Sequence, residues 1–304
     1  MNKPSHILRE LIVISGPTAS GKTDLAFALA SKWNCPILSA DSRQIYKDLD
    51  IGTAKPARHM LEAVDHHFID HVAIDQSYSA GRYEVEALER LARLFAEHPR
   101  IILCGGTGLY LRALLQGMDE LPPIDAAVRQ RIQHLLSTEG LEACSALLQA
   151  CDPVYADGAD LLNPRRVTRA LEVYYTIGRP ISSLLNKTRL PRNFSVRGIC
   201  LLPERNVLYQ RIERRVDEML EAGWVDEVKR ALPYSNCQSM QSVGYRELVD
   251  YLEGRTDLEG ATALIKQKTR NYAKRQLTWF RKYGEGSPID PMDQATLQKW
   301  LDQL

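Results

Sequence analysis

The segment Gly16-Pro17-Thr18-Ala19-Ser20-Gly21-Lys22-Thr23 constrains this chain more than any other stretch. It fits G-x-x-x-x-G-K-[ST], follows the apolar run Leu11-Ile12-Val13-Ile14, and opens a helical pattern from Lys22 to about Trp33. A short run without polar alternation marks a strand buried on both faces, so the loop belongs to a parallel sheet covered by helices. Gly16 and Gly21 let the backbone turn its amides inward around anionic oxygens. Lys22 adds a mobile positive charge, and the following helix adds its N-terminal dipole. The Thr23 hydroxyl suits Mg²⁺, a cation that takes oxygen ligands and keeps several waters. A diphosphate-binding cradle at residues 16–23 follows. The motif does not say which diphosphate it holds.

The rest of the first third keeps the same alternation. Pro36-Ile37-Leu38 and Ile101-Ile102-Leu103-Cys104 are strand-like, while Tyr83, Leu88, Leu91, Leu94 and Phe95 fall near helical spacing before Pro99. Strands alternating with helices define an α/β fold, a P-loop NTPase-like core with a parallel sheet flanked by helices. The texture changes near Pro122-Pro123. Up to about Asn193 only helical patterns occur, with Val128, Ile132, Leu135 and Leu136 on one face and Val167, Leu171, Tyr174 and Tyr175 on another. Gly198-Ile199-Cys200-Leu201-Leu202-Pro203 returns the chain to the sheet. The expected organisation is a catalytic core at 1–120 and 195–304 with an all-helical insertion domain at 121–194. Helices are expected to about Tyr283, then a short polar tail.

Asp41 follows the second short strand. In open parallel sheets the carboxyl ends of strands face the ligand crevice, so Asp41 is expected on the rim that carries the cradle. There it can order the waters of Mg²⁺, take a proton from an attacking group, or simply cap a turn. The strand at 101–104 ends in Gly105-Gly106, without the Asp that usually helps hold Mg²⁺ in P-loop NTPases, which argues against simple ATP hydrolysis.

Composition excludes several classes. With Lys+Arg 39 against Asp+Glu 38 in 304 residues there is no global field for a polyanion, so nucleic-acid contacts must come from local patches. The apolar runs are far too short to span a bilayer, and MNKPSHILRE offers no signal-peptide core or cleavage site. Six scattered cysteines without a C-x-x-C pair suit free thiols in a reducing compartment. A cytoplasmic protein without membrane contact is expected. Asp65-His66-His67-Phe68-Ile69-Asp70-His71 has zinc-ligand chemistry but lacks the helical spacing of zinc proteases, and we read it as structural.

Taken together, the blocks GPTASGKT, DSRQIY (Asp41 to Tyr46), DIGTAKP (Asp50 to Pro56), GGTGLY (Gly105 to Tyr110), LNPRRVTRALEVY (Leu162 to Tyr174), VGYREL (Val243 to Leu248) and KRQLTWFRK (Lys274 to Lys282) resemble the tRNA dimethylallyltransferases, in family order from about residue 11 to 283. A lone P-loop would not separate that family from other NTPases, but the combination does. The resemblance implies a prenyltransferase that moves a dimethylallyl group from its diphosphate to the exocyclic amine of the adenosine 3′ of the anticodon in tRNA. It implies that the cradle holds the prenyl diphosphate with Mg²⁺. It makes Asp41 the base, places Thr107 beside the reacting centre, and puts Arg215 on the diphosphate. Arg211 and Arg215, at i and i+4 of a helix, share a face, and either could be the diphosphate contact. Relatives from eukaryotes often append a zinc finger; a bacterial-type enzyme without an obligate protein partner is expected.

For tRNA the resemblance points to Asp41, Ser42, Arg43 and Gln44, to Arg129, to Arg165, Arg166, Val167, Thr168 and Arg169, and to Gln241, Ser242, Val243, Gly244, Tyr245 and Arg246. The arginines at 165, 166 and 169 suit phosphate or base edges, and equally suit a solvated helix face. Lys266 to Tyr283 is independently suggestive. It carries Lys266, Lys268, Arg270, Lys274, Arg275, Arg281 and Lys282 without an acidic residue, interleaved with Tyr272, Trp279, Phe280 and Tyr283. Bases stack on aromatics and phosphates pair with cations. Leu277 and Phe280 are expected in the core, and Arg270 or Lys274 on RNA. Rival readings are an isopentenyltransferase acting on free AMP, ADP or ATP, a small-molecule kinase, and a non-catalytic P-loop RNA-binding module.

Overall fold

The computed structural model describes residues 9–119, 121–185 and 191–304. The chain divides into two compact units, Met1–Gln116 with Pro191–Leu304, and Gly117–Leu190.

The first unit is built on one six-stranded sheet. Its strands are β1 (Glu10–Ser15), β2 (Ile37–Ser39), β3 (His66–His67), β4 (Arg100–Gly105), β5 (Ser195–Leu201) and β6 (Ser287–Ile289), in the order β3-β2-β4-β1-β5-β6. Every pairing is parallel. In β1, Leu11, Ile12, Val13 and Ile14 are fully buried, as a central strand covered on both faces requires. Glu10 closes its entry end, with its carboxylate 2.9 Å from Arg100 of β4 and 3.0 Å from Arg197 of β5. Helices α1 (Lys22–Trp33), α2 (Arg58–Ala63), α3 (Ala80–Leu94) and α4 (Gly108–Gln116) connect the first strands. On α3, Tyr83 and Leu91 are buried, as is Phe95 at its end, while Leu88 and Leu94 are half-buried. Ser79 caps this helix by accepting from the Arg82 N–H.

The second unit is helical among its described residues. Its helices α5 (Ala126–Thr138), α6 (Gly140–Cys151), α7 (Pro153–Gly158) and α8 (Pro164–Ile177) pack around Ile132, Cys144, Leu148, Val167 and Leu171. Asp125, Asp152 and Asn163 cap α5, α7 and α8, and Pro153 and Pro164 open two of these helices where no N–H is needed. This unit spans 117–190 rather than 121–194. The boundary differs because residues 191–194 already serve the sheet unit, where Arg192 donates to the carbonyls of Leu114 and Ala113 and Phe194 packs against Phe95.

Back in the first unit come α9 (Arg205–Glu221), α10 (Trp224–Ala231), α11 (Tyr245–Leu252), α12 (Leu258–Tyr283) and α13 (Gln294–Leu301). The expected polar tail is corrected here. After Tyr283 the chain adds β6 to the sheet edge beside β5, and α13 brings Trp300 onto the core of Ile12, Ile14 and Leu29. Three residues of strand containing a proline have no legible period, and an edge strand tolerates that proline.

Candidate active site

The cradle leaves β1 at Ser15 and enters α1 at Lys22. Gly16 has φ 144°, and a Cβ there would fall 2.4 Å from the Leu201 carbonyl oxygen, so neither conformation nor space admits a side chain. Gly21, with φ 88°, has open space around it and is needed for its backbone conformation alone. Ala19 takes φ 60°, a left-handed turn without glycine. The Lys22 ammonium folds back to donate to the Pro17 carbonyl at 2.6 Å. Desolvation within the loop pushes this group below the usual lysine range, while the nearby Cys104 thiol and the Asp41 carboxylate act against the shift.

A cavity of about 590 Å³ opens from this loop. Thr18, Ala19, Ser20, Gly21, Lys22 and Thr23 form one wall, and Asp24, Asp41, Arg43, Gln44, Arg215, Tyr272 and Gln276 also line it. The 50–57 segment forms a further wall. Asp41 is therefore on the cradle's rim, and it also caps a turn. Its Oδ1 accepts from the Arg43 N–H at 2.8 Å and the Gln44 N–H at 3.4 Å. The turn uses Oδ1 and leaves Oδ2 out of these bonds, so capping does not consume the carboxylate. Thr107 supports the same turn from the β4–α4 connection: its Oγ1 accepts from the Ser42 N–H at 2.9 Å and donates to the Ser42 hydroxyl at 3.2 Å. Arg43 donates to the Gln238 carbonyl, and the Gln44 amide donates to the Ala54 carbonyl at 2.9 Å, tying the turn to the 50–57 wall.

Arg215 and Arg211 separate. Arg215 lines the cavity with its Nη1 3.5 Å from the Thr18 hydroxyl. Burial pulls its guanidinium below the usual arginine range, with Asp24 and Glu218 opposing. Arg211 lies in the adjoining hollow and donates to the Met292 sulfur.

The 50–57 wall is held by a buried carboxylate that sequence reasoning passed over. Glu227, on α10 and 2% exposed, accepts from the N–H groups of Asp50 and Ile51 at 2.7 Å each and Gly52 at 3.1 Å, and from the Tyr245 hydroxyl at 2.6 Å. Trp224 fills the space beside it: a Cβ on Gly52 would fall 2.0 Å from its indole nitrogen, and one on Gly244, where φ is 96°, 2.0 Å from its ring. Lys55 completes the wall by donating to the Tyr46 carbonyl and the carboxylates of Asp50 and Asp70. Glu227→Ala strands three backbone donors and a phenol; we expect a loss of about 3 kcal/mol in a urea titration, with Glu227→Gln losing less because one acceptor remains.

Exposure and internal contacts describe the other residues singled out from sequence. Tyr245 and Gly244 are buried and serve Glu227 and Trp224, so the Tyr245 side chain presents nothing to RNA; Gln241 and Arg246 are exposed, and Ser242 and Val243 half-buried. Val167 is a core residue of the helical unit and likewise offers no surface. Arg129, Arg165 and Arg166 are exposed; Arg169 lies 3.9 Å from Glu172, and the Thr168 hydroxyl bonds back to the Arg165 carbonyl. On α12, Leu277 and Phe280 are in the core as expected. Arg270 is paired with Glu213 at 2.6 Å, whereas Lys274 is exposed. Of the histidines at 66–71, His66 bonds to the Val64 carbonyl and His71 to the Glu86 carboxylate.

Gln276 is the other residue missed. Lying one helical turn past Tyr272, it is 7% exposed and spans the site: its Oε1 accepts from the Thr18 N–H at 2.9 Å, and its Nε2 donates to the Gly106 carbonyl at 2.8 Å. Its one sequence signal is a polar residue on the apolar stripe of α12, next to Leu277.

A parallel sheet with this cradle at the end of a central strand and a carboxylate on the same rim defines a P-loop protein whose anion-binding loop lies beside a carboxylate. A family model described as IPP transferase matches residues 44–283, and the chain belongs to that family. It is 45% identical over 298 residues to a tRNA dimethylallyltransferase from Cytophaga hutchinsonii, covering 98% of each chain. Among solved structures it is similar to a tRNA isopentenylpyrophosphate transferase from Bacillus halodurans, with TM-score 0.70, 34% identity and coverage of 97% of this chain and 95% of that one. It is also similar to a eukaryotic dimethylallyltransferase acting on tRNA, with TM-score 0.81, 29% identity and coverage of 97% and 77%.

Proposed function

We propose that the protein transfers a dimethylallyl group from dimethylallyl diphosphate to the exocyclic amine of the adenosine 3′ of the anticodon in tRNA, releasing diphosphate. The observation that carries this is a single cavity lined by both Lys22 of the cradle and Asp41. One end suits a leaving diphosphate, and the other a nucleophile that must lose a proton. As the allylic carbon–oxygen bond breaks, negative charge grows on the diphosphate, where Lys22, Arg215 and the loop amides of 19–23 stabilise it. The adenosine nitrogen bonds to the allylic carbon and its proton passes to the Asp41 carboxylate. Thr107 keeps the Asp41–Gln44 turn in register for that transfer.

The oxygen donors fit Mg²⁺: the Thr23 hydroxyl, in the first turn of α1, shares the cavity with the Asp24 and Asp41 carboxylates. Thr23 would hold the ion, which when bound neutralises charge on the diphosphate.

A base undergoing this chemistry must leave the stack. Half-buried Arg43 and exposed Lys274 and Arg246 are the candidate RNA contacts on the sheet unit, with Tyr272 available for stacking at the cavity; exposed Arg129, Arg165 and Arg166 are those of the helical unit. Among the described residues no helix is long and apolar enough to cross a membrane. A cytoplasmic location and tRNA as macromolecular partner belong to the same reading.

The test is incubation with Mg²⁺, dimethylallyl diphosphate and unmodified tRNA, followed by digestion and mass spectrometry of the nucleosides. A dimethylallylated adenosine is expected. Unchanged tRNA with prenylated AMP, or ATP consumption without either product, overturns the proposal.

A further inference from the structure

We propose that Gln276 is a positioning residue that sets the resting place of the Lys22 ammonium, acting through one peptide group of the cradle. The bond between Pro17 and Thr18 is the hub. Its carbonyl, on Pro17, accepts from Lys22 at 2.6 Å, and its N–H, on Thr18, donates to Gln276 at 2.9 Å. A peptide group is planar, so fixing the direction of the N–H fixes the direction of the carbonyl that parks the lysine. The same Thr18 carries the hydroxyl that lies 3.5 Å from Arg215. Of the two cations assigned to the leaving group, one is thus referenced to the carbonyl of this peptide and the other to the side chain of the residue that carries its N–H.

Gln276 is itself immobilised. Its Nε2 is bonded to the Gly106 carbonyl, and a Cβ on Gly106 would fall 2.9 Å from that nitrogen and 3.7 Å from the Lys22 ammonium. Ala273, Leu277 and Phe280 seat the surrounding turns of α12 in the core. A neutral amide suits the task. It offers one acceptor and one donor in fixed relation, and adds no charge to a site that must receive an anion. Tyr272, at i−4 on the same helix, lines the same cavity, so α12 presents one residue to the cradle and another toward the acceptor side. The reaction that this positioning serves rests on the prenyl-transfer reading above; the positioning itself rests on the bonds just described.

The test compares the full-length protein with Gln276→Met, which keeps length and loses both hydrogen bonds, and Gln276→Glu, which keeps an acceptor for Thr18 but brings a negative charge. Binding of inorganic diphosphate with Mg²⁺ is measured by calorimetry, and transfer kinetics are measured with donor and tRNA varied separately. Gln276→Met is expected to weaken diphosphate about tenfold and raise the donor KM, because a loop no longer held at Thr18 must be ordered when the anion binds. The tRNA dissociation constant should stay within about twofold, since α12 keeps its packing. Gln276→Glu should bind diphosphate more weakly still, with the deficit shrinking at high salt.

Unchanged diphosphate affinity in a folded Gln276→Met overturns the proposal. So does a joint fall of donor affinity, tRNA affinity and melting temperature that Gln276→Glu restores, which marks a purely structural residue. If the unsubstituted protein binds diphosphate but prenylates no tRNA, the functional reading fails while the binding comparison still judges Gln276.

Discussion

Replacing Asp41 with Asn is expected to slow prenyl transfer under single-turnover conditions by about 10²–10⁴-fold, the usual range for loss of a general base. The fold and the tRNA affinity should be nearly untouched. The reason is the division of labour in the carboxylate. Oδ1 accepts the Arg43 and Gln44 N–H groups, and an asparagine carbonyl accepts them equally well. The turn that presents Ser42, Arg43 and Gln44 therefore survives, while the group proposed to take the adenosine proton is gone. Asp41→Ala should behave differently. It removes the base and the turn's acceptor together, so the tRNA KM rises as well. A transfer rate in Asp41→Asn within a few-fold of the unsubstituted protein would show that the proton goes elsewhere.

Lys22→Met is expected to be the second most damaging change, costing about 10²–10³-fold in turnover, as removal of one preorganised charge from a developing anion does. It should also raise the donor KM. The protein should be as stable as before, or slightly more so. Desolvation disfavours the ammonium in the free protein, and its hydrogen bond there goes to a carbonyl of its own loop. Removing a poorly solvated charge that is held by a neutral acceptor costs the fold little. Thermal melting beside steady-state kinetics checks both halves. A large loss of melting temperature would mean that Lys22 holds the loop together rather than awaiting the diphosphate.

Much of this architecture is legible in local residues. Leu11–Ile14 and Ile101–Leu103 read as buried strands because their apolar runs are continuous, and they are fully buried in the sheet. The cradle is legible because its demands are local: left-handed backbone at Gly21, a close approach at Gly16, a lysine at the helix start. The helical texture after Pro122 marks a second unit for the same reason, since a period of 3.6 is written into the residues.

Other features have no local signature. β6 and α13 exist as core elements only because β5 offers an edge to pair with and because Ile12, Ile14 and Leu29 leave a surface for Trp300. Glu227 looks like any charged residue on an amphipathic helix until three amides of the 50–52 segment, distant along the chain, converge on it. Tyr245 sits in a block matched to RNA contact, and only packing reveals that its hydroxyl is spent on Glu227. The division between Arg211 and Arg215, identical in chemistry and one turn apart, is made by which of them faces the Thr18 side of the loop.

Residue order alone was enough for the α/β class, the glycine-rich loop between β1 and α1, and the family, because these rest on short-range backbone demands, periodicity and contiguous blocks. Packing in three dimensions settled that Glu227 gathers the amides of the 50–52 segment, which arginine lies against Thr18, and that Gln276 ties Thr18 to Gly106. Those depend on segments separated by as many as 258 residues meeting at hydrogen-bond distance, a condition that no local pattern encodes.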